Sequence, residues 1–446
     1  MPSPVAKRED ERGRRSGVGG GWRVILIFAL VTFVGVNLRT VILGVPPVLP
    51  LIQRDLSLSH TLIGFLTALP VLLMASAAMP SGLLASRIGG RWSVAIGLGL
   101  LALGAVLRAV WRDAIPLYLF TIVLSAGIAI AQTAIPVLTR QWFPQRIGLV
   151  SALYSDGLII GEALAAGLTA PLMSRFFGAD GWPATFVLWG VPAAICVALW
   201  LALAPPAPAM ARATRRQPAH ADTASAHAGA NRRVRAWQLG VVLGSGSLIF
   251  FGVNGWVAPY NQALHHGAET SVTLLALNAA QLPVSLGMTA FAQQLAGRRW
   301  PFVGAGVVCL LAMGGWLLTP AKLEPFWAAL LGGSSAFVFV LGIALPALLA
   351  GRSEVARLTG VTLTLSYGVA FLGPLAGGGL WDLLGQPAFA FLPVLCAGLA
   401  LIVFGALLPS RAAFGILNAL SESAESQSSP ASSEGAAPRP AQDLVR

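Results

Sequence analysis

The chain has 446 residues, of which 56% are hydrophobic and only 10% charged. A water-soluble domain carries about 25% charged residues, so this composition excludes water as the solvent for most of the surface and leaves lipid. The formal net charge of +12 would suggest nucleic acid in a soluble protein, but the basic residues sit in short segments between apolar runs, which reads as membrane topology.

In chain order, residues 1–22 form a basic tail that includes Lys7, Arg8, Arg12, Arg14 and Arg15. The apolar run that follows is too long for a cleavable leader, and no small-residue cleavage site follows it. A spanning helix needs about 20 apolar residues. The first half holds six such runs, at 23–47, 62–84, 92–111, 115–139, 148–173 and 183–204. A loop at 205–236, rich in Ala, Pro, Arg and His, follows. The second half holds six more runs, at 237–261, 271–295, 301–319, 325–350, 357–381 and 387–409. The segment 410–446 is rich in Ser, Ala, Pro and Glu and reads as a disordered tail. The expected organisation is therefore a six-helix bundle over 23–204 and a second over 237–409, joined by the 205–236 loop, in an all-α membrane protein of twelve transmembrane helices.

Charge predicts the orientation. With the N-terminus inside, alternate loops are basic: Arg87 and Arg91, Arg140 and Arg146, Arg212 to Arg235, Arg298 and Arg299, Arg352 and Arg357. The outer segments hold only Arg54, Arg108, Arg112, Arg175 and Lys322. Both termini are then cytoplasmic. The halves also resemble each other. Gly35-Val36-Asn37 matches Gly252-Val253-Asn254, and Thr67-Ala68-Leu69-Pro70 has a counterpart in Ala280-Gln281-Leu282-Pro283. Ile135-Pro136 parallels Leu345-Pro346, and Ser155-Asp156-Gly157 parallels Ser366-Tyr367-Gly368. Four matches at nearly one offset point to a duplicated six-helix unit whose halves are related by pseudo-twofold symmetry.

Asn37-Leu38-Arg39 followed by Pro46-Pro47-Val48-Leu49 resembles the opening of the cyanate/nitroimidazole permease family within the major facilitators. Leu107-Arg108, the segment 148–172, the stretch from Asn254 to Pro283, and Tyr367 to Asp382 with Gly373-Pro374 continue the resemblance. One departure lies in Gly82 to Arg91. It is similar to the superfamily's Gly-rich basic inner loop, but Ser86 stands where an Asp is usual. The resemblance implies the major facilitator fold, alternating access and a small anionic or polar heteroaromatic substrate.

Ionisable groups at membrane depth cost roughly 2.5–3.5 kcal/mol each on insertion scales and mark function by default. Arg39, Asp156 and Glu162 stand out. Arg39 offers a rigid fork of donors suited to an anion, and the resemblance supports that role; the plainer reading is that it only pairs with Glu162. Glu162 lies at the same predicted depth. It serves either as a carrier of a coupling proton, since low dielectric favours the neutral form of a carboxylate, or as a pure ion-pair partner. Asp156 is six residues away, about 600° around the helix, so the two carboxylates do not share a face.

Asn37, Asn254, Asn278, Gln281 and Tyr367 are expected to line a polar cavity, against the alternative of interhelical hydrogen bonds, worth about 0.6 kcal/mol each. Trp256 occupies the repeat position of Arg39 and either walls the site or packs. Thr121, Ser125, Gln132 and Thr139 form a further stripe on the fourth span. His265-His266 fall in an outer loop and read as solvated. Gly157, Gly161 and Gly167, with Gly373, Gly377 and Gly378, give small faces for close helix contact. Cys196, Cys309 and Cys396 lie in apolar runs at no metal-ligand spacing.

The expected function is a bacterial inner-membrane transporter for a small anion or small polar heteroaromatic, working as a monomer and coupled to protons, with no cofactor, metal, nucleic-acid partner or catalytic residue. A nitrate/nitrite-like porter and a drug exporter are alternatives within transport. A polytopic receptor or sensor is the alternative outside it, and a membrane enzyme would need a His or Ser/His constellation that the spacing does not supply.

Overall fold

The computed structural model of the chain describes residues 4–178, 180–206, 226–295, 297–349 and 355–408. Most of the predicted 205–236 loop and all of the predicted 410–446 tail lie outside the described residues. Within them the chain is helical, with no strand. The first bundle comprises α1 (Pro4–Leu43), α2 (Leu49–Leu56), α3 (His60–Ser76), α4 (Ala78–Ile88), α5 (Gly90–Leu107), α6 (Ala114–Trp142), α7 (Ile147–Phe176) and α8 (Trp182–Leu203). The second comprises α9 (Ala226–Ala263), α10 (Thr270–Ala279), α11 (Gln281–Leu295), α12 (Trp300–Leu318), α13 (Glu324–Leu349), α14 (Val355–Leu384) and α15 (Leu392–Leu407).

Eleven helices among the described residues are long and apolar enough to cross a membrane, and twelve when α3 and α4 count as one span bent by 57°. The predicted second span is bent, whereas the eighth runs on as one span over Gly267–Met288 with its helix interrupted for one residue at Ala280. The cause is proline near a helix start. Pro80 has no N–H to give the Ser76 carbonyl, so the second span bends at Ala77; Pro283 has none for Ala279, and the helix of the eighth is interrupted at Ala280. Two helices also start earlier than expected. α1 begins at Pro4, inside the predicted tail, and α9 at Ala226, inside the predicted loop; in the α9 extension alanines and arginines favour helix.

The turns that carry Arg87 to Arg91, Arg140 to Arg146 and Arg298 to Arg299 lie at one end of the bundle, here the basic end; the other is the far end. At the basic end Arg91 donates to the Leu201 carbonyl at 2.9 Å, and the Trp200 indole donates to the Arg91 carbonyl at 3.0 Å, tying α5 to α8. At the far end Ser59 caps α3, its hydroxyl accepting from the Leu62 N–H, and Asp113 caps α6.

Within the first bundle α1 packs on α7 and α5 on α6; within the second α9 packs on α14 and α10 on α13. Between bundles the main contacts are α3 on α14 and α7 on α10. The α1–α7 seam is set by small residues. A Cβ added at Gly157 would lie 2.4 Å from the Thr32 carbonyl oxygen, and one at Gly161 would lie 2.3 Å from that of Val36. Thr32, Val36 and Arg39 repeat at helical spacing, so Arg39 continues this seam and faces α7. Gly161→Val therefore forces the two backbones apart. The expected loss is at least the 1–3 kcal/mol typical of overpacking, seen as a lower melting temperature of the purified protein.

Candidate functional site

Next to the seam, Arg39 Nε lies 3.3 Å from Glu162 Oε1. Both residues are buried, at 8% and 5% exposure. The contact is an ion pair off hydrogen-bond alignment, because neither Nε nor Nη1 of Arg39 has a hydrogen-bond partner. The other oxygen of Glu162 accepts from Gln281 Nε2 at 2.9 Å. Gln281 also reaches the Asn278 carbonyl at 3.4 Å, and Asn278 Nδ2 donates to Asn254 Oδ1 at 2.9 Å. A polar chain thus runs from α1 through α7 and the α10–α11 break to α9, crossing from one bundle to the other. The break at Ala280 sets Gln281 at the start of α11, from where it reaches Glu162.

The structure brings together Arg39, Glu162, Gln281, Asn278 and Asn254. Tyr367 connects less directly. Tyr154, which sequence reasoning missed, is buried on α7 with an unpartnered hydroxyl and lies within electrostatic reach of both Arg39 and Tyr367. Its signal was slight: a Tyr two turns from Glu162 in an apolar span. Asn37 is elsewhere. Two residues from Arg39, it points about 200° around α1, and its Nδ2 donates to the Phe33 carbonyl at 2.8 Å. Trp256 is fully buried against Gly64 and Gly377 and tilts on Trp381, centroids 5.7 Å apart. Asp156 is half-buried and, among the described residues, forms no ion pair with Arg39. Thr121 and Ser125 both donate to carbonyls one turn back on α6.

The far end carries charged groups not singled out from the sequence. Asp382 of α14 receives the backbone N–H groups of His60 and Thr61 at 3.0 and 2.8 Å, and the Thr61 hydroxyl at 2.6 Å. Its Oδ1 also lies 2.7 Å from His60 Nδ1, and His60 stacks on Trp381 at 4.1 Å. This carboxylate caps the N-terminus of α3 from the opposite bundle, where negative charge is favoured, and ties α14 to α3 at the far end. Two expectations need correction. His266 is not simply solvated, because its Nδ1 lies 3.0 Å from buried Glu324, which also accepts from Asn261 at 2.8 Å. Arg108, counted among the outer segments, is buried to 2% exposure at the C-cap of α5.

Comparison with known proteins matches a family model described as Major Facilitator Superfamily over residues 25–374. The cyanate transport protein of Escherichia coli (strain K12) is 29% identical over 346 residues, 77% of this chain and 85% of that protein. The 2-nitroimidazole transporter of the same organism is 26% identical over 399 residues, 87% and 96% of the two chains. Among solved structures, an inward-open xylose transporter from E. coli aligns with a TM-score of 0.66 at 13% identity, covering 88% of this chain and 99% of that one.

Proposed function

The chain belongs to the major facilitator superfamily, and from that premise we propose that it moves a small anion, or a small polar heteroaromatic, across the bacterial inner membrane by alternating access. In this reading the basic end and both termini face the cytoplasm. Arg39 is the anchor, Glu162 carries a coupling proton, and Gln281, Asn278 and Asn254 complete the site from the second bundle, with Tyr367 at its edge. Asn37, on the opposite side of α1 from Arg39, and Trp256, packed against Gly64 and Gly377, support the site rather than touch substrate. The protein acts as a monomer.

One observation carries the reading. Arg39 is buried, yet its Nη1 has no partner and its Nε meets Glu162 only off axis. A buried guanidinium is normally satisfied along its whole fork. Here the donors on one side are left for a planar or linear anion. Two relatives named for cyanate and 2-nitroimidazole transport agree in substrate size.

The test is uptake of labelled cyanate, with nitrate and 2-nitroimidazole alongside, by the purified chain in proteoliposomes. Saturable uptake of at least one compound, raised by an inward proton gradient and abolished by Arg39→Gln, is expected. Uptake of cationic drugs in its place would reject an arginine-centred site.

A further inference from the structure

Arg108 is the C-cap of α5, at its far end, and its guanidinium is almost wholly buried. It makes one hydrogen bond, from Nη2 to the Val41 carbonyl at 3.2 Å, and lies over the Phe186 ring at 4.3 Å. Its Nε has no partner, and among the described residues no carboxylate forms an ion pair with it. Two other far-end arginines differ. Arg54 pairs with Asp180 at 3.0 Å and Arg112 with Asp55 at 3.3 Å, although both are much more exposed. Arg108 is the most buried cation of the group, and among the described residues no carboxylate pairs with it.

Burying an unpaired charge costs several kcal/mol unless something compensates it. Phe186 and the Val41 carbonyl offset part of that. The rest is available to an anion, and there is room for one. Arg108 lines a small cavity together with Thr67, Thr121, Asn254, Leu66, Leu124 and Phe251. Its volume is about 20 Å³, space for a single small ion or water. The mostly apolar wall favours an anion that gives up its hydration readily. The cavity also borders Ile42, three residues and about 5 Å beyond Arg39 along α1. Asn254 belongs both to this cavity and to the polar chain that ends at Arg39.

We propose that Arg108 and this cavity form a second binding site for a small, weakly hydrated inorganic monoanion, a station between the far face and Arg39. As a step on a transport path it rests on the central-site reading; as a binding site it stands by itself.

The experiment follows the melting temperature of the purified full chain against sodium cyanate, nitrate and chloride, with gluconate holding ionic strength. In Arg39→Gln at least one of the three is expected still to raise it saturably. Adding Leu66→Phe, which fills the cavity and leaves Arg108 in place, or Arg108→Gln, is expected to raise the half-saturating concentration at least tenfold. If Arg39→Gln does not fold, the same substitutions in the wild-type chain are expected to turn a two-phase response into one phase. A response that both substitutions leave unchanged, or no anion response beyond the one Arg39 accounts for, overturns the second site. The central reading fails separately, through an Arg39→Lys chain that binds as wild type does.

Discussion

Arg39→Lys is expected to weaken anion binding by roughly 10- to 100-fold while the protein stays folded and monodisperse. The substitution keeps the positive charge, so the ion pair with Glu162 survives in some form. It removes the planar fork, and with it the Nη1 donor that has no partner in the protein. A hydrogen bond to a charged group contributes about 1.5–3 kcal/mol, and about 1.4 kcal/mol is tenfold in affinity, which gives the stated range. Lysine is the informative replacement because alanine would do two things at once. It would remove the anchor and also leave Glu162 buried with only Gln281 as a partner, and breaking a buried pair costs about 3–5 kcal/mol. Cyanate titration of the Lys variant by calorimetry separates these effects. If affinity is unchanged, Arg39 serves only to neutralise Glu162, and the substrate site lies elsewhere.

The spans were legible because lipid imposes length and apolarity on every one of them, and the alternation of basic turns supported the count before any packing was considered. The breaks were not legible. Pro136, Pro171, Pro192, Pro259, Pro346 and Pro374 all lie within helices that continue past them, whereas Pro80 and Pro283 accompany breaks. Which proline breaks a helix depends on whether neighbouring helices hold the two halves in line, and that is a tertiary property. Arg39 and Glu162 could be paired from sequence because each sits deep in an apolar run, where an unpaired charge is too costly to leave. Arg108, Glu324 and Asp382 sit at span ends. There a charged residue usually extends to water, so sequence gives no sign that packing buries Arg108 and Glu324. Trp256 shows the limit of repeat arithmetic. It matches Arg39 by offset, but it fills the space that Gly64 and Gly377 leave between α3 and α14.

Glu162→Gln is expected to abolish proton-driven accumulation and to leave exchange of substrate within about threefold of wild type. Charge at membrane depth sets this outcome. In the empty site the cation of Arg39 and the carboxylate of Glu162 sum to zero. An anion bound at Arg39 with Glu162 still ionised would leave one net negative charge in the low-dielectric interior, unfavourable by roughly 2.5–3.5 kcal/mol on insertion scales. Under the proposed coupling a proton on Glu162 removes that charge, so anion and proton would cross together and both the loaded and the empty carrier would be neutral. The Glu162→Gln substitution changes this balance on one side only. The loaded site, Arg39 with its anion, is again neutral and reorients. The empty site carries an uncompensated guanidinium and does not. Substrate on one face can then swap with substrate on the other, but the empty carrier cannot return, so no gradient builds. Glutamine retains the size of the side chain and an oxygen to accept from Gln281, so the polar chain to Asn254 persists. The two readouts are accumulation under an imposed proton gradient and counterflow into preloaded vesicles. Loss of the first with retention of the second assigns the coupling proton to Glu162. Accumulation at the wild-type level in the Glu162→Gln chain would mean that the proton binds elsewhere and that Glu162 does no more than neutralise Arg39.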